Sequence, residues 1–196
     1  MKNFPALKLF GLQPGSLFAE PAQRLPERVT LDDPALNVMT DLERVSAVLI
    51  RASDTIEEAN RRMIHRGVRL LIVADNSRAV AGLITANDIL GEKPLQVITQ
   101  RGGRRQDIVV RDIMTPHQQL EVLDMQEVRY ARVGHIVATL RETARQHAMV
   151  VDTADNGRQR VRGLFSLTQI ARQLGIEVEA SQIARTFSEI EATLTH

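Results

Sequence analysis

The chain contains no cysteine and no tryptophan, and only one tyrosine and five phenylalanines among 196 residues. Without cysteine there is no disulfide framework and no thiolate metal site. Aromatics at 3% are too few for a stacking platform that would bind sugars or single-stranded bases, because such platforms need ring faces. Charge of one sign is also missing. With 25 Lys and Arg against 24 Asp and Glu the formal net charge is +1, which excludes a strongly basic nucleic-acid binder and an acidic tail protein. No run approaches the ~20 apolar residues that span a bilayer. The first residues, interrupted by Lys8, Pro14 and Gly15, lack the continuous apolar stretch of a secretory signal. The cytoplasm is therefore the expected compartment, with no membrane contact. What the chain does have is 43% hydrophobic residues, enough to bury a core.

Residues 1–35 hold five of the seven prolines, each of which removes a backbone donor and disfavours helix at the residue before it. They read as an irregular arm, either disordered or laid against the body through Leu7, Phe10, Leu17 and Phe18. Beyond it, landmarks recur in order. Met39-Thr40 returns as Met114-Thr115, 75 positions on; Asp75 returns as Asp152, 77 on; Gly82-Leu83-Ile84-Thr85 returns as Gly163-Leu164-Phe165-Ser166, 81 on. Kept order with drifting spacing is the mark of a duplicated unit with altered loops.

The first unit, 36–91, reads β-α-β-β-α. Val48-Leu49-Ile50 is a strand. Asp54 with Glu57 forms a capping box for a helix carrying Ile56, Ala59, Met63 and Ile64, and Gly67 ends it. Leu70–Val73 and Val80–Ile84 are strands around the turn Asp75-Asn76-Ser77, and Thr85 opens a second helix through Ile89 and Leu90. The second unit, 111–175, repeats this: strand 120–123, a helix with Val133, Ile136, Val137 and Leu140 on one face, strand 149–151, an Asn156-Gly157 hairpin, strand 164–165, and a helix from Ser166. Residues 92–110 form a basic linker, with Gly102-Gly103 among Arg101, Arg104 and Arg105 marking a flexible loop. Residues 176–196 form an amphipathic helix with Ile183, Phe187, Ile190 and Leu194 on one stripe.

Two stretches carry a family resemblance: TIEEANRRMIHRGVRLLIVADNSRAVAGLITANDIL at 55–90, and DIMTP at 112–116 with HAMVVDTADNGRQRVRGLFSLTQIARQLG at 147–175. The first resembles a CBS domain and the second a diverged copy. Together, over roughly 36–175, they resemble the tandem CBS pair known as a Bateman module. The resemblance implies an α+β fold of two repeats packed about a pseudo-twofold axis, with two clefts between them that in many members bind AMP, ADP, ATP or S-adenosylmethionine. It also implies a regulatory module that pairs as a homodimer. The arm and the terminal helix match no family.

Thr85-Ala86-Asn87-Asp88 matches the family's T/S-x-x-D motif, in which the Asp accepts from ribose hydroxyls and the Thr lies near phosphate. The same four residues also read as a helix cap, and both readings stay open. The second copy has Ser166-Leu167-Thr168-Gln169, which keeps a capping box and loses the carboxylate. At most one well-formed cleft is therefore expected, the one containing Thr85, Asn87 and Asp88, and the family pattern implies that it also takes Val68, Arg69 and Leu70 from the first copy and Thr115 and Leu120 from the second. The other, degenerate cleft would hold Thr40, Ser166 and Gln169. Here Ile72 stands where the family often has Pro, which leaves the register of Arg69 open.

The five histidines show no metal spacing, and His147 reads as a satisfied packing residue. No phosphate-binding glycine loop, nucleophile elbow or acid-base pair is present, so no catalytic constellation is expected and no cofactor is required. The arginines at 101–105 read either as a solvated linker or as a phosphate or RNA contact, with the former favoured by the near-zero net charge. Three functions remain: an adenosine-ligand sensor acting on a regulated protein, a ligand-free dimerisation scaffold, and a nucleic-acid accessory.

Overall fold

The computed structural model describes residue 13, residues 23–154 and residues 156–176. The expected terminal helix with its stripe, and the arm residues Leu7, Phe10, Leu17 and Phe18, lie outside the described residues. In chain order the strands are β1 (Thr40–Asp41), β2 (Leu49–Ile50), β3 (Leu70–Ala74), β4 (Val80–Thr85), β5 (Thr115–Pro116), β6 (Val122–Asp124), β7 (His147–Thr153) and β8 (Gln159–Ser166). The helices are α1 (Ile56–Arg66), α2 (Ala86–Leu90), α3 (Lys93–Arg101), α4 (Val110–Ile113), α5 (Met125–Val128), α6 (Val133–Glu142) and α7 (Leu167–Gln173). The fold is α+β, with two copies of β-α-β-β-α as the repeat implied.

The sheets are assembled differently from a simple tandem. One has the order β2-β3-β4-β5 and the other β1-β8-β7-β6. The short strand ahead of each repeat has crossed into the sheet of the other. β1 pairs antiparallel with β8, Asp41 opposite Gly163, and β5 pairs with β4, Pro116 opposite Gly82. Packing follows the same exchange. Val29, Ala35, Val38 and Met39 are buried with Phe165 and the α6 face of the second half, while Ile108, Val110 and Ile113 are buried with Ile56, Met63 and Ile84 of the first. Segments 36–91 and 111–175 are therefore units of sequence repetition, and each core is completed by residues from ahead of the other. The exchange also covers the β4 and β8 edges, which would otherwise offer unpaired backbone groups.

Several local expectations hold. Gly67 closes α1 at φ +62°, and the Val133, Ile136, Val137 and Leu140 face is buried. Others change. The α1 cap is Thr55, whose Oγ1 accepts from the Glu58 N–H at 3.2 Å; Asp54 instead accepts from the Arg51 N–H one turn earlier. Two adjacent cap-forming residues compete there, and the backbone bend selects the second. Ile64 points outward, 73% exposed, because it lies off the stripe formed by Ile56, Ala59 and Met63. The strand expected at 120–123 runs over Val122–Asp124. The flexible basic linker is largely ordered: residues 93–101 are helical, Arg101 bridges Asp112, Arg104 bridges Asp107, and Arg105 donates to the Ile89 carbonyl at 2.6 Å. Those arginines are engaged within the chain while their side chains remain largely exposed.

Candidate functional site

Strand pairing fixes the repeat correspondence. Leu70 sits opposite Thr85 on β3 and β4, and His147 sits opposite Ser166 on β7 and β8. His147 is therefore the counterpart of Leu70, and Gly67 that of Ala144. Two clefts lie where the halves meet. The smaller, about 250 Å³, is lined by Thr85, Asn87, Asp88, Thr115 and Leu120 from the expected set, together with Glu121, Arg145, Gln146 and His147. The larger, about 580 Å³, is lined by Thr40, Ser166 and Gln169, the expected degenerate set, and by Val68, Arg69 and Leu70. A third depression of about 850 Å³, lined mostly by apolar residues such as Leu49, Ile72, Val122 and Val151, lies along the sheets.

Val68, Arg69 and Leu70 thus do not join Thr85 and Asp88. Packing about the pseudo-twofold axis sets the start of β3 against the end of β8, and the start of β7 against the end of β4. Each cleft therefore takes one wall from each half, and Val68, Arg69 and Leu70 face the cleft of Ser166 although Leu70 pairs with Thr85 in its own sheet. Arg69 still touches the smaller side, because its guanidinium donates to Asn87 Oδ1 at 3.4 Å. Asn87 Nδ2 in turn donates to Gln146 Oε1 of the other half at 2.9 Å.

Asp88 makes three polar contacts within the chain. Its Oδ2 accepts from the Thr85 N–H at 2.7 Å and from the Thr85 hydroxyl at 2.8 Å, and its Oδ1 pairs with Lys93 Nζ at 2.6 Å. The Thr85 hydroxyl accepts from the Asp88 N–H, completing a capping box. The second copy does not repeat this. No side chain caps α7 at Ser166, and Gln169 Nε2 points along the helix to Gln173 Oε1 at 3.4 Å. The expectation of capping in both copies fails because the carboxamide has a closer partner one turn on.

The large cleft contains residues that the sequence did not flag: Arg28, His147, Thr168 and Arg172. Alignment of the repeats could have found His147, as the counterpart of Leu70. Nothing local marks Arg28 or Arg172. His147 lines both clefts, and among the described residues no hydrogen bond reaches its imidazole, so it is not the satisfied packing histidine expected. Burial lowers its pKa to about 4, with the Arg69 charge acting in the same direction and the Asp88 carboxylate opposing. Among the described residues no cluster of three or more His, Asp or Glu is placed to hold a metal ion.

Residues 29–94 match the family described as CBS domain. That segment is similar to a CBS domain. That match covers the first half, and the likeness of the whole to a CBS pair is one of fold. An uncharacterised conserved protein from Pyrococcus horikoshii aligns at TM-score 0.54 and 22% identity, over 78% of this chain and 100% of that one. The CBS-domain protein ATU1752 from Agrobacterium tumefaciens aligns at TM-score 0.50 and 17% identity, over 67% of this chain and 88% of that one. The CBS domain pair of protein MJ0100, solved with 5-methylthioadenosine and S-adenosyl-L-methionine, aligns at TM-score 0.50 and 19% identity, over 75% of this chain and 97% of that one. No curated protein matches the chain in sequence. Among the described residues no helix is long and apolar enough to cross a membrane.

Proposed function

We propose that the chain is a regulatory, non-catalytic CBS pair that senses an adenosine-containing ligand, AMP, ADP, ATP or S-adenosylmethionine, in a cleft between its halves, and that it works as a homodimer on a protein partner. A CBS pair of similar fold has been solved with two adenosine derivatives. The observation that carries the choice of cleft is the contrast in hydrogen bonding. In the Thr85 and Asp88 cleft the carboxylate that would grip a ribose already accepts two donors and pairs with Lys93. In the larger cleft the Ser166 side chain makes no capping bond, and Thr168 lines the same cleft with the apolar Val68, Leu70 and Leu164. About 580 Å³ lies within the ~300–1,000 Å³ usual for small-molecule sites, and about 250 Å³ falls below it. The larger cleft is the favoured seat.

A second reading, a ligand-free scaffold, is favoured by one observation. Ile64, Leu90 and Leu95, on α1, α2 and α3, are 73%, 67% and 66% exposed. A surface of that kind suits docking to a second copy or a partner.

A thermal-shift screen with AMP, ADP, ATP and S-adenosylmethionine tests the first reading. A ligand at 100 times its Kd adds ~2.7 kcal/mol, which raises the midpoint by several degrees in a chain of this size. A flat response across the set, with a dimer mass by light scattering, favours the scaffold. A monomer mass across micromolar concentrations rejects the homodimer.

A further inference from the structure

We propose that the larger cleft is a phosphate seat, and that Arg28, carried in by the segment ahead of the repeats, selects a phosphorylated ligand against the cationic sulfonium of S-adenosylmethionine. This rests on the reading of that cleft as the adenosine site and names the ligand class within it.

Three arginines line the larger cleft from three separate segments: Arg28 from the arm, Arg172 from α7, and Arg69, just ahead of β3, whose guanidinium turns towards Asn87 of the smaller cleft. No Asp or Glu lines the cleft with them. Several arginines elsewhere are neutralised within the chain, although Arg66, Arg111 and Arg129 also have no carboxylate partner among the described residues. Arg62 pairs with Glu58, Arg101 with Asp112, Arg145 with Glu121, and Arg162 with Asp41, Glu43 and Asp152. The three in the cleft have no carboxylate partner among the described residues, and the one hydrogen bond that Arg69 makes with its side chain is to the neutral Asn87. Unpaired guanidinium groups around an open cavity repel one another and attract an anion, and their paired N–H donors match phosphate oxygens.

The arm is fixed in place. The Val29 N–H donates to the Gln173 carbonyl at 2.9 Å, and Gln173 Nε2, in a side chain only 4% exposed, donates to the carbonyls of Pro26 at 2.7 Å and Asn37 at 3.0 Å. Gly175, at φ +83°, leaves the space that Arg28 Nη1 fills; a β-carbon there would collide with it. The arm thus supplies a wall of the cleft.

Calorimetry on the full chain, with the Arg28→Met and Arg172→Met variants, tests this using ATP, ADP, 5-methylthioadenosine, S-adenosylmethionine and inorganic triphosphate. The expected order is ATP and ADP tightest and S-adenosylmethionine weakest. Each variant should weaken ATP by about tenfold and leave 5-methylthioadenosine within about twofold, since only the charge-assisted contact is removed. Midpoints of unfolding measured on the same variants exclude a loss of fold as the cause. If S-adenosylmethionine binds as tightly as ATP and the variants leave both unchanged, the phosphate seat is overturned while the adenosine reading stands. Triphosphate binding that depends on Arg28, with no gain from adenosine, keeps the seat and overturns the adenosine reading. Absence of binding by every probe overturns both.

Discussion

Ala144 holds φ +51° at the position in the second half that Gly67 fills at φ +62° in the first. Gly67 caps the end of α1 and Ala144 follows the end of α6, and each lines one cleft. An L-residue in this region costs ~1–2 kcal/mol, and glycine costs ~0.5–1 kcal/mol of chain entropy instead. Ala144→Gly should therefore stabilise the protein by roughly 0.5–1 kcal/mol. Gly67→Ala should destabilise it by about 1 kcal/mol, although a β-carbon there meets nothing within 4 Å. Urea denaturation of the pair checks this. A Gly67→Ala protein as stable as the parent contradicts it.

Exchange of the short strands depends on a buried ion pair. Asp41, 7% exposed on β1, pairs with Arg162 on β8, which also reaches Glu43 at 3.0 Å and Asp152 at 3.4 Å. Arg162→Met leaves the buried Asp41 with only the longer pair to Arg44 at 3.6 Å and the Glu43 N–H at 2.9 Å, so a loss near the lower end of ~3–5 kcal/mol is expected. Adding Asp41→Leu to that variant should recover part of the loss, because the buried charge is gone. A single-variant loss under ~1 kcal/mol, the range of an exposed pair, would place Arg162 and Asp41 in water.

The recurring glycines lie where the exchanged strands cross. A β-carbon at Gly82 would strike the Thr115 carbonyl and lie 3.2 Å from the Pro116 backbone; at Gly163 it would lie 2.6 Å from the Met39 sulfur. The first obstacle is backbone and the second a flexible thioether. Gly82→Ala should cost ~2–3 kcal/mol and Gly163→Ala clearly less, in the ~1–3 kcal/mol range of overpacking. Equal losses by thermal denaturation would contradict the crossing at β5.

Repetition made much of this fold legible. Two helices, two central strands and the Gly82 and Gly163 positions follow from patterns within one unit. The exchange of β1 and β5 did not, because a two-residue strand carries no local signal of which sheet it completes. Nor do Val68, Arg69 and Leu70 carry a local signal of which cleft they line, because that depends on how the halves pack. Thr85 and Asp88 were legible as a cap, and the engaged carboxylate could not be anticipated because Lys93 lies on the next helix. Arg28 was hidden in a proline-rich arm, and only its contact with Gly175 reveals the wall it forms.

His147 makes the protein sensitive to acid. Its imidazole titrates at about 4 in the folded chain and near the ordinary 6.5 when unfolded. Between those values the unfolded chain binds a proton that the folded chain does not, so stability falls as pH drops from 6.5 towards 4 and this component is complete below that. Its size is on the order of 2–3 kcal/mol. His147→Phe should flatten the difference in stability between pH 6.5 and 4 relative to the parent. An imidazole midpoint near 6.5 by NMR titration of the folded protein would contradict it.

The most direct test is a crystal structure of the full chain grown with ADP. The nucleotide is expected in the larger cleft, with its base against Val68, Leu70 and Leu164 and its phosphates between Arg28 and Arg172. A nucleotide held instead by Thr85 and Asp88, with the Lys93 pair broken to free the carboxylate, would contradict this assignment.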